Sequence, residues 1–243
     1  LYWAQRSSVP PYPELGAVRA REHYAKASAT LDIVPPPLHA VQDIDVELPG
    51  RVLRVREYAP WPHSWAEPRP ALLYFHGGGF TIGSVDTHDR VCRVLALGGD
   101  CLVYSVDYRL APEHRFPSAQ HDAFESLAWL RNEATALGVD PARIAVGGDS
   151  AGGTLAAASA IHARDQGWSL ALQLLIYPGV SSHQDTDSYR RFATGYLLDA
   201  QTVRWFFAQT LRDARDRLDW RFAPHAPPDL RGVAPARGAG GAY

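Results

Sequence analysis

The sequence predicts an α/β protein, a mostly parallel central sheet with helices on both faces. Three observations predict it. The run "ALLYF" (71–75) is continuously apolar, as a strand buried on both faces is. Strand-like and helix-like segments alternate from there to residue 179. The stretch "GGDSAGG" (147–153) places a serine between glycines where one apolar run stops and a small-residue run begins.

Taken in order, residues 14–30 have helical spacing, with Leu15, Val18 and Tyr24 on one side. Pro35, Pro36 and Pro37 end that region. Val41, Ile44, Val46 and Leu48 alternate loosely, as an edge strand does, and "RVLRVREYAP" alternates better. A proline-broken loop leads to "ALLYFHGGGF". Then follow a helix near 86–98, a strand at 101–108, a helix near 118–137, a strand at 143–148, a helix near 151–166 and a strand at 170–179. Residues 181–217 look helical, carry Trp205, Phe206 and Phe207, supply no strand, and are expected to sit above the sheet. The expected organisation is an N-terminal helical segment at 1–40, a core at 41–180, an insertion at 181–217 and a further core segment opening at 218–243.

Composition narrows the function. The 243 residues are 46% apolar and 21% charged, enough for a real core. Twenty-four basic and 26 acidic residues leave a net charge of −2 with no basic block, which argues against nucleic acid. No apolar run approaches the length of a membrane span, and the N-terminus lacks a secretory layout. Cys92 and Cys101 make no disulfide framework, so two reduced thiols in a cytoplasmic protein are expected. No metal or other cofactor is expected. The oligomeric state is not readable, although nothing argues against a homo-oligomer.

Two glycine-rich motifs carry the chemistry. Gly148-Asp149-Ser150-Ala151-Gly152 fits G-x-S-x-G between strand and helix, the turn that exposes a nucleophilic hydroxyl at the carboxyl end of a sheet. The following helix turns its N–H groups toward the reacting centre. His76-Gly77-Gly78-Gly79-Phe80 ends another strand, and successive glycines let backbone N–H groups face a ligand closely. Acyl transfer needs such donors for the oxyanion of its tetrahedral intermediate, each worth about 3–4 kcal/mol.

With "DYRLAPEHRFPSAQHDA" (107–123), these motifs resemble the bacterial hormone-sensitive-lipase-like esterases, on the α/β-hydrolase fold. The resemblance covers nearly the whole chain, and it implies that residues 1–40 and 181–217 are two parts of one cap. It implies a nucleophile at Ser150, an oxyanion hole from Gly78, Gly79 and Ala151, and a structural rather than basic His76. Gly77, Gly148, Asp149 and Gly152 support these. Glu113 and Arg109 either brace the loops near the site or form a satisfied surface ion pair.

The same resemblance implies departures. Its catalytic acid and histidine follow the nucleophile in chain order. "LRGVAPA" (230–236) resembles the lead into the seventh strand, and the sequence stops at Tyr243, one residue before the expected acid and ahead of the histidine. The last strand–helix units are therefore expected to be missing. Residues 237–243, "RGAGGAY", hold Arg237 and three glycines and are expected not to form a buried strand, leaving the sixth strand at the sheet edge. Of the histidines after Ser150, His162 lies about 18 Å along the next helix at 1.5 Å per residue. His183 is in the cap, and His225 lies in a proline-rich loop preceded by Asp213, Asp216 and Asp219. One of these aspartates could pair with His225, but solvated loop residues are the better expectation.

Two functions follow. One is hydrolysis of short-chain acyl esters, small-molecule substrates, impaired by the missing acid and base. The other is a ligand-binding relative that keeps the pocket without turnover.

Overall fold

The computed structural model describes residues 10–62, 66–196, 198–225 and 229–240. Expectations for residues 1–9 and 241–243 lie outside the described residues. Among the described residues the seven strands are β1 (Ala40–Leu48), β2 (Arg51–Ala59), β3 (Arg69–Phe75), β4 (Leu102–Val106), β5 (Val139–Asp149), β6 (Leu172–Ile176) and β7 (Ala236–Ala239). They form one sheet in the order β1-β2-β4-β3-β5-β6-β7. β1 and β2 pair antiparallel, as do β2 and β4, and every other pair is parallel.

The helices are α1 (Tyr12–Leu31), α2 (Asp89–Gly99), α3 (Ser118–Asn132), α4 (Ala151–Asp165), α5 (Asp187–Arg191) and α6 (Ala200–Thr210). Side chains alternate across β3, so its two faces bury different helices. Leu73 and Phe75 face the large core that includes Leu127 and Leu130 of α3 and Leu155 of α4. Leu72 and Tyr74 face Cys92 and Ala96 of α2. Each fully buried Leu or Phe contributes about 1.5–3 kcal/mol, and these contacts fix β3 and β5 at the centre of the sheet. The two central strands end at the two glycine motifs. Among the described residues no helix is long and apolar enough to cross a membrane.

Two expectations are corrected. Val18 is 61% exposed, although its spacing put it on the inward side. Gly16, at φ 72° and ψ 167°, kinks α1, so spacing counted across it fails. Ala20 is instead the buried residue, grouped with Ile82 and Phe206 and flanked by Tyr12 and Tyr24. The sheet also does not end at the sixth strand. β7 pairs with β6, Gln173 N–H donating to Pro235 O at 2.8 Å and Tyr177 N–H to Ala239 O at 2.6 Å. Every residue of β7 is exposed, so Arg237 pays no desolvation and no apolar side chain is needed. Backbone pairing alone makes this edge strand.

Candidate active site

β5 runs directly into α4, and Ser150 stands at the junction with φ 52° and ψ −117°. Such a backbone costs a residue with a Cβ about 1–3 kcal/mol and persists only where its surroundings enforce it. They do so here. Ser150 N–H donates to Ile176 O at 2.9 Å, while its carbonyl accepts Thr154 N–H at 3.0 Å and Gly179 N–H at 3.2 Å. Gly152 is required one residue past Ala151, because a Cβ there would overlap the Phe75 carbonyl of the neighbouring strand.

The second loop leaves β3 beside this turn. Gly78 has φ 122° and Gly79 φ 57°. Gly78 O accepts the N–H groups of Thr81 (3.0 Å) and Ile82 (2.9 Å), which curls the loop. Among the described hydrogen bonds, none uses the N–H of Gly78, Gly79 or Ala151. Gly79, Ser150 and Ala151 all line one cavity of about 250 Å³, whose other walls include Phe206, Phe207 and Phe222. A larger cavity of about 350 Å³, lined by Arg164, Trp168 and Pro235, lies at the far end of α4 from Ser150 and contributes nothing to this chemistry.

Asp149 joins the two loops. Its Oδ1 accepts the Gly77 N–H at 2.9 Å and the Tyr74 hydroxyl at 2.7 Å, and His88 Nε2 stands 3.3 Å away. Burial pushes this carboxyl up, but the hydrogen bond and charge of His88, then the Tyr74 hydroxyl, hold it below the ordinary carboxylate range. His76 is fully enclosed, with Nδ1 2.7 Å from Gly77 O and its ring stacked on Tyr108 at 4.3 Å. Burial, and then the charge of His88, push it down to about 4, so it stays neutral near pH 7.

The bracing residues are separate pairs. Arg109 holds the buried Asp122 through both its backbone and its guanidinium. Glu113 pairs at 2.6 Å with Arg21 of α1, and Arg21 also donates to Thr81 O at 2.8 Å and Ala111 O at 2.7 Å. That guanidinium ties the N-terminal helix to the glycine loop.

Of the later histidines, His162 is half-buried on α4 and stacks on Phe124 of α3 at 4.3 Å. His225 Nδ1 meets Val180 O at 2.8 Å. Asp213, Asp216 and Asp219 are bound by Arg215, Arg212 and Arg221, so no described aspartate pairs with His225. His183 lines the same cavity as Ser150, and among the described residues no hydrogen bond joins a histidine to the Ser150 hydroxyl. The sequence reading missed Arg21, Tyr74 and His88. No short motif marks them, since each meets its partner across 60 or more residues of chain.

Residues 72–241 match the family model described as alpha/beta hydrolase fold. The chain is 40% identical over 219 residues to ethyl acetate hydrolase of Pseudomonas putida, covering 89% of this chain and 69% of that one. It is 39% identical to the carboxylic ester hydrolase LipN of Mycobacterium tuberculosis, covering 87% of this chain and 58% of that one. Among solved structures, the hyperthermophilic esterase of the archaeon Pyrobaculum calidifontis superposes with a TM-score of 0.90 at 39% identity, over 97% of this chain and 76% of that one.

Proposed function

The chain belongs to the alpha/beta hydrolase fold family, with the hormone-sensitive-lipase-like esterases, and from that premise we propose that it hydrolyses short-chain carboxylic esters through Ser150. One observation carries the reading. A serine on a strained strand-to-helix turn opens into the same cavity as Gly79 and Ala151, whose N–H groups have no described partner.

In this reaction Ser150 Oγ attacks the ester carbonyl. The carbonyl oxygen gains charge and takes the N–H groups of Gly78, Gly79 and Ala151. Collapse expels the alcohol and leaves an acyl-serine, which water then hydrolyses. The aromatic walls and the 250 Å³ volume favour small acyl groups. Among the described residues no histidine is hydrogen-bonded to Ser150, although His183 lines the same cavity. Oxyanion hole and binding alone still give about 10³–10⁴-fold over water. Hydrolysis of an aryl acetate by the purified chain, compared with Ser150→Ala, tests the reading. Equal rates in the two proteins would defeat it.

A second reading, ligand binding without turnover, is favoured by the same absence of a described histidine on Ser150. It predicts that a short-chain ester binds wild type and Ser150→Ala alike and is released intact by both.

A further inference from the structure

His88 belongs to no motif named above. It is 7% exposed and reaches toward the elbow from the N-terminal end of α2. Its two ring nitrogens meet different parts of the fold. Nε2 is 3.3 Å from Asp149 Oδ1 and equally 3.3 Å from Gly77 N, so it stands against both the carboxylate and the glycine loop. Nδ1 is 2.9 Å from Thr87 Oγ1, whose single hydroxyl proton has Nδ1 and Ser84 O both within 2.9 Å and whose oxygen accepts the Ser84 N–H at 2.9 Å, so a hydroxyl turned to Nδ1 leaves the ring proton on Nε2. The ring is therefore held at one edge by the 84–87 turn while its other edge holds a carboxylate. Its faces are closed by the His76 ring at 5.4 Å and the Tyr24 ring of α1 at 6.5 Å.

The carboxylate it holds is the link between the two glycine motifs. Asp149 directly precedes Ser150, and its Oδ1 takes the N–H of Gly77, which directly precedes Gly78. The fit is tight, since a Cβ on Gly77 would overlap Asp149 Oδ2. Rotation of this carboxylate would release Gly77 and let the donors of the next two residues swing away from Ser150. Tyr74 restrains the carboxylate from the strand below, and His88 restrains it from the side of the helix.

We propose that His88 is a positioning residue for ester hydrolysis, holding the Asp149 carboxylate in the orientation that sets the oxyanion loop against Ser150. The proposal rests on the reading of Ser150 as nucleophile. A hydrogen bond to a charged carboxylate is about twice as strong as a neutral one, so the link is stiff enough to set distances. A misplacement of about 1 Å at a reacting centre costs up to roughly 100-fold in rate.

The experiment compares His88→Leu, which keeps bulk but removes the donor, with His88→Gln, which restores an N–H near the position of Nε2. Values of kcat and KM for an aryl acetate are measured beside those of wild type and Ser150→Ala. His88→Leu is expected to lower kcat about 10- to 100-fold with KM within about twofold, and His88→Gln to recover most of that loss. Unchanged kcat in His88→Leu overturns the proposal, and so does an equal loss in the Gln variant. Should the Leu variant not fold, Thr87→Val carries the test. It frees the far edge of the ring and is expected to lower kcat severalfold at constant KM, and an unchanged kcat again overturns the proposal. If Ser150→Ala is as fast as wild type, the nucleophile reading fails, and this proposal with it.

Discussion

The ring of Phe206 occupies the space where a Cβ on Gly79 would stand. Helix α6 thus touches the loop after β3 directly, and the same ring lines the cavity that holds Ser150. Tyr12 and Trp205 back it at ring distances of 6.3 and 5.1 Å, so its position is fixed from behind.

Phe206→Ala should therefore lengthen the cavity at its cap end. The expected outcome is a higher ratio of butanoate to acetate ester turnover, about tenfold, since the two further methylenes are worth about 0.8 kcal/mol each. The measurement is kcat/KM across a series of aryl esters. An unchanged chain-length profile would place the acyl group elsewhere.

Gly79→Ala attacks the same contact from below. Alanine is strained at φ 57°, and its methyl runs into the Phe206 ring. A loss of about 1–3 kcal/mol of stability is expected, read by urea unfolding, together with a fall in kcat. Combining it with Phe206→Ala should return part of the stability but not the rate. If the two losses simply add, the ring and the loop are not in register as described.

How much of this could be read from the sequence differs by element. The centre was legible, because "ALLYF" and the run before Gly148 are apolar beyond what a half-exposed strand needs, and the glycines that follow have steric reasons to be there. Position of the elbow at Ser150 follows from that context. The periphery was less legible. Spacing put Val18 inward because a helical count assumes no kink, and Gly16 supplies one. Among the described residues of 181–217 there are two helices and a 3-10 turn at Ala214–Leu218, with Gly195 at φ 83° between the helices. β7 was unexpected because propensity measures side-chain packing, while an exposed edge strand is held by backbone bonds. His88 and Arg21 are single side chains whose meaning comes from distant partners, and one sequence carries no signal for that.

Arg21 and Glu113 form an ion pair at 2.6 Å, yet their substitutions should differ in cost. Glu113 is about half exposed, so Glu113→Ala should cost under about 1 kcal/mol. Arg21 also satisfies the part-buried carbonyls of Thr81 and Ala111. Arg21→Ala strands both, and is expected to cost about 1–3 kcal/mol and to speed amide exchange in residues 78–82. Equal costs for the two variants would show that the ion pair, and not the tie to the loop, is what the guanidinium supplies.

His76 should make stability fall in weak acid. Burial first, and the charge of His88 second, lower it from about 6.5 to about 4 in the folded chain. The unfolded chain therefore takes up a proton first as pH falls. Its contribution is fully present above about pH 6.5, drains away as pH falls toward about 4, and is constant below that. Between pH 7 and pH 5 the loss is about 2 kcal/mol at about 1.36 kcal/mol per pKa unit. The charged and polar groups around the ring are His88 on α2, Asp149 on β5, Asp107 after β4 and the carbonyl of Gly77, with Tyr108 stacked on its face. Asp149, held below the ordinary carboxylate range, loses its share only in stronger acid and so does not enter this window. In His76→Gln the titrating ring is gone, so its stability should fall less between pH 7 and pH 5 than that of wild type, by about 2 kcal/mol. Chemical denaturation at the two pH values measures both differences. An identical drop in the two proteins would mean that the ring is protonated in the fold at pH 5, which its enclosure between Tyr108 and His88 argues against.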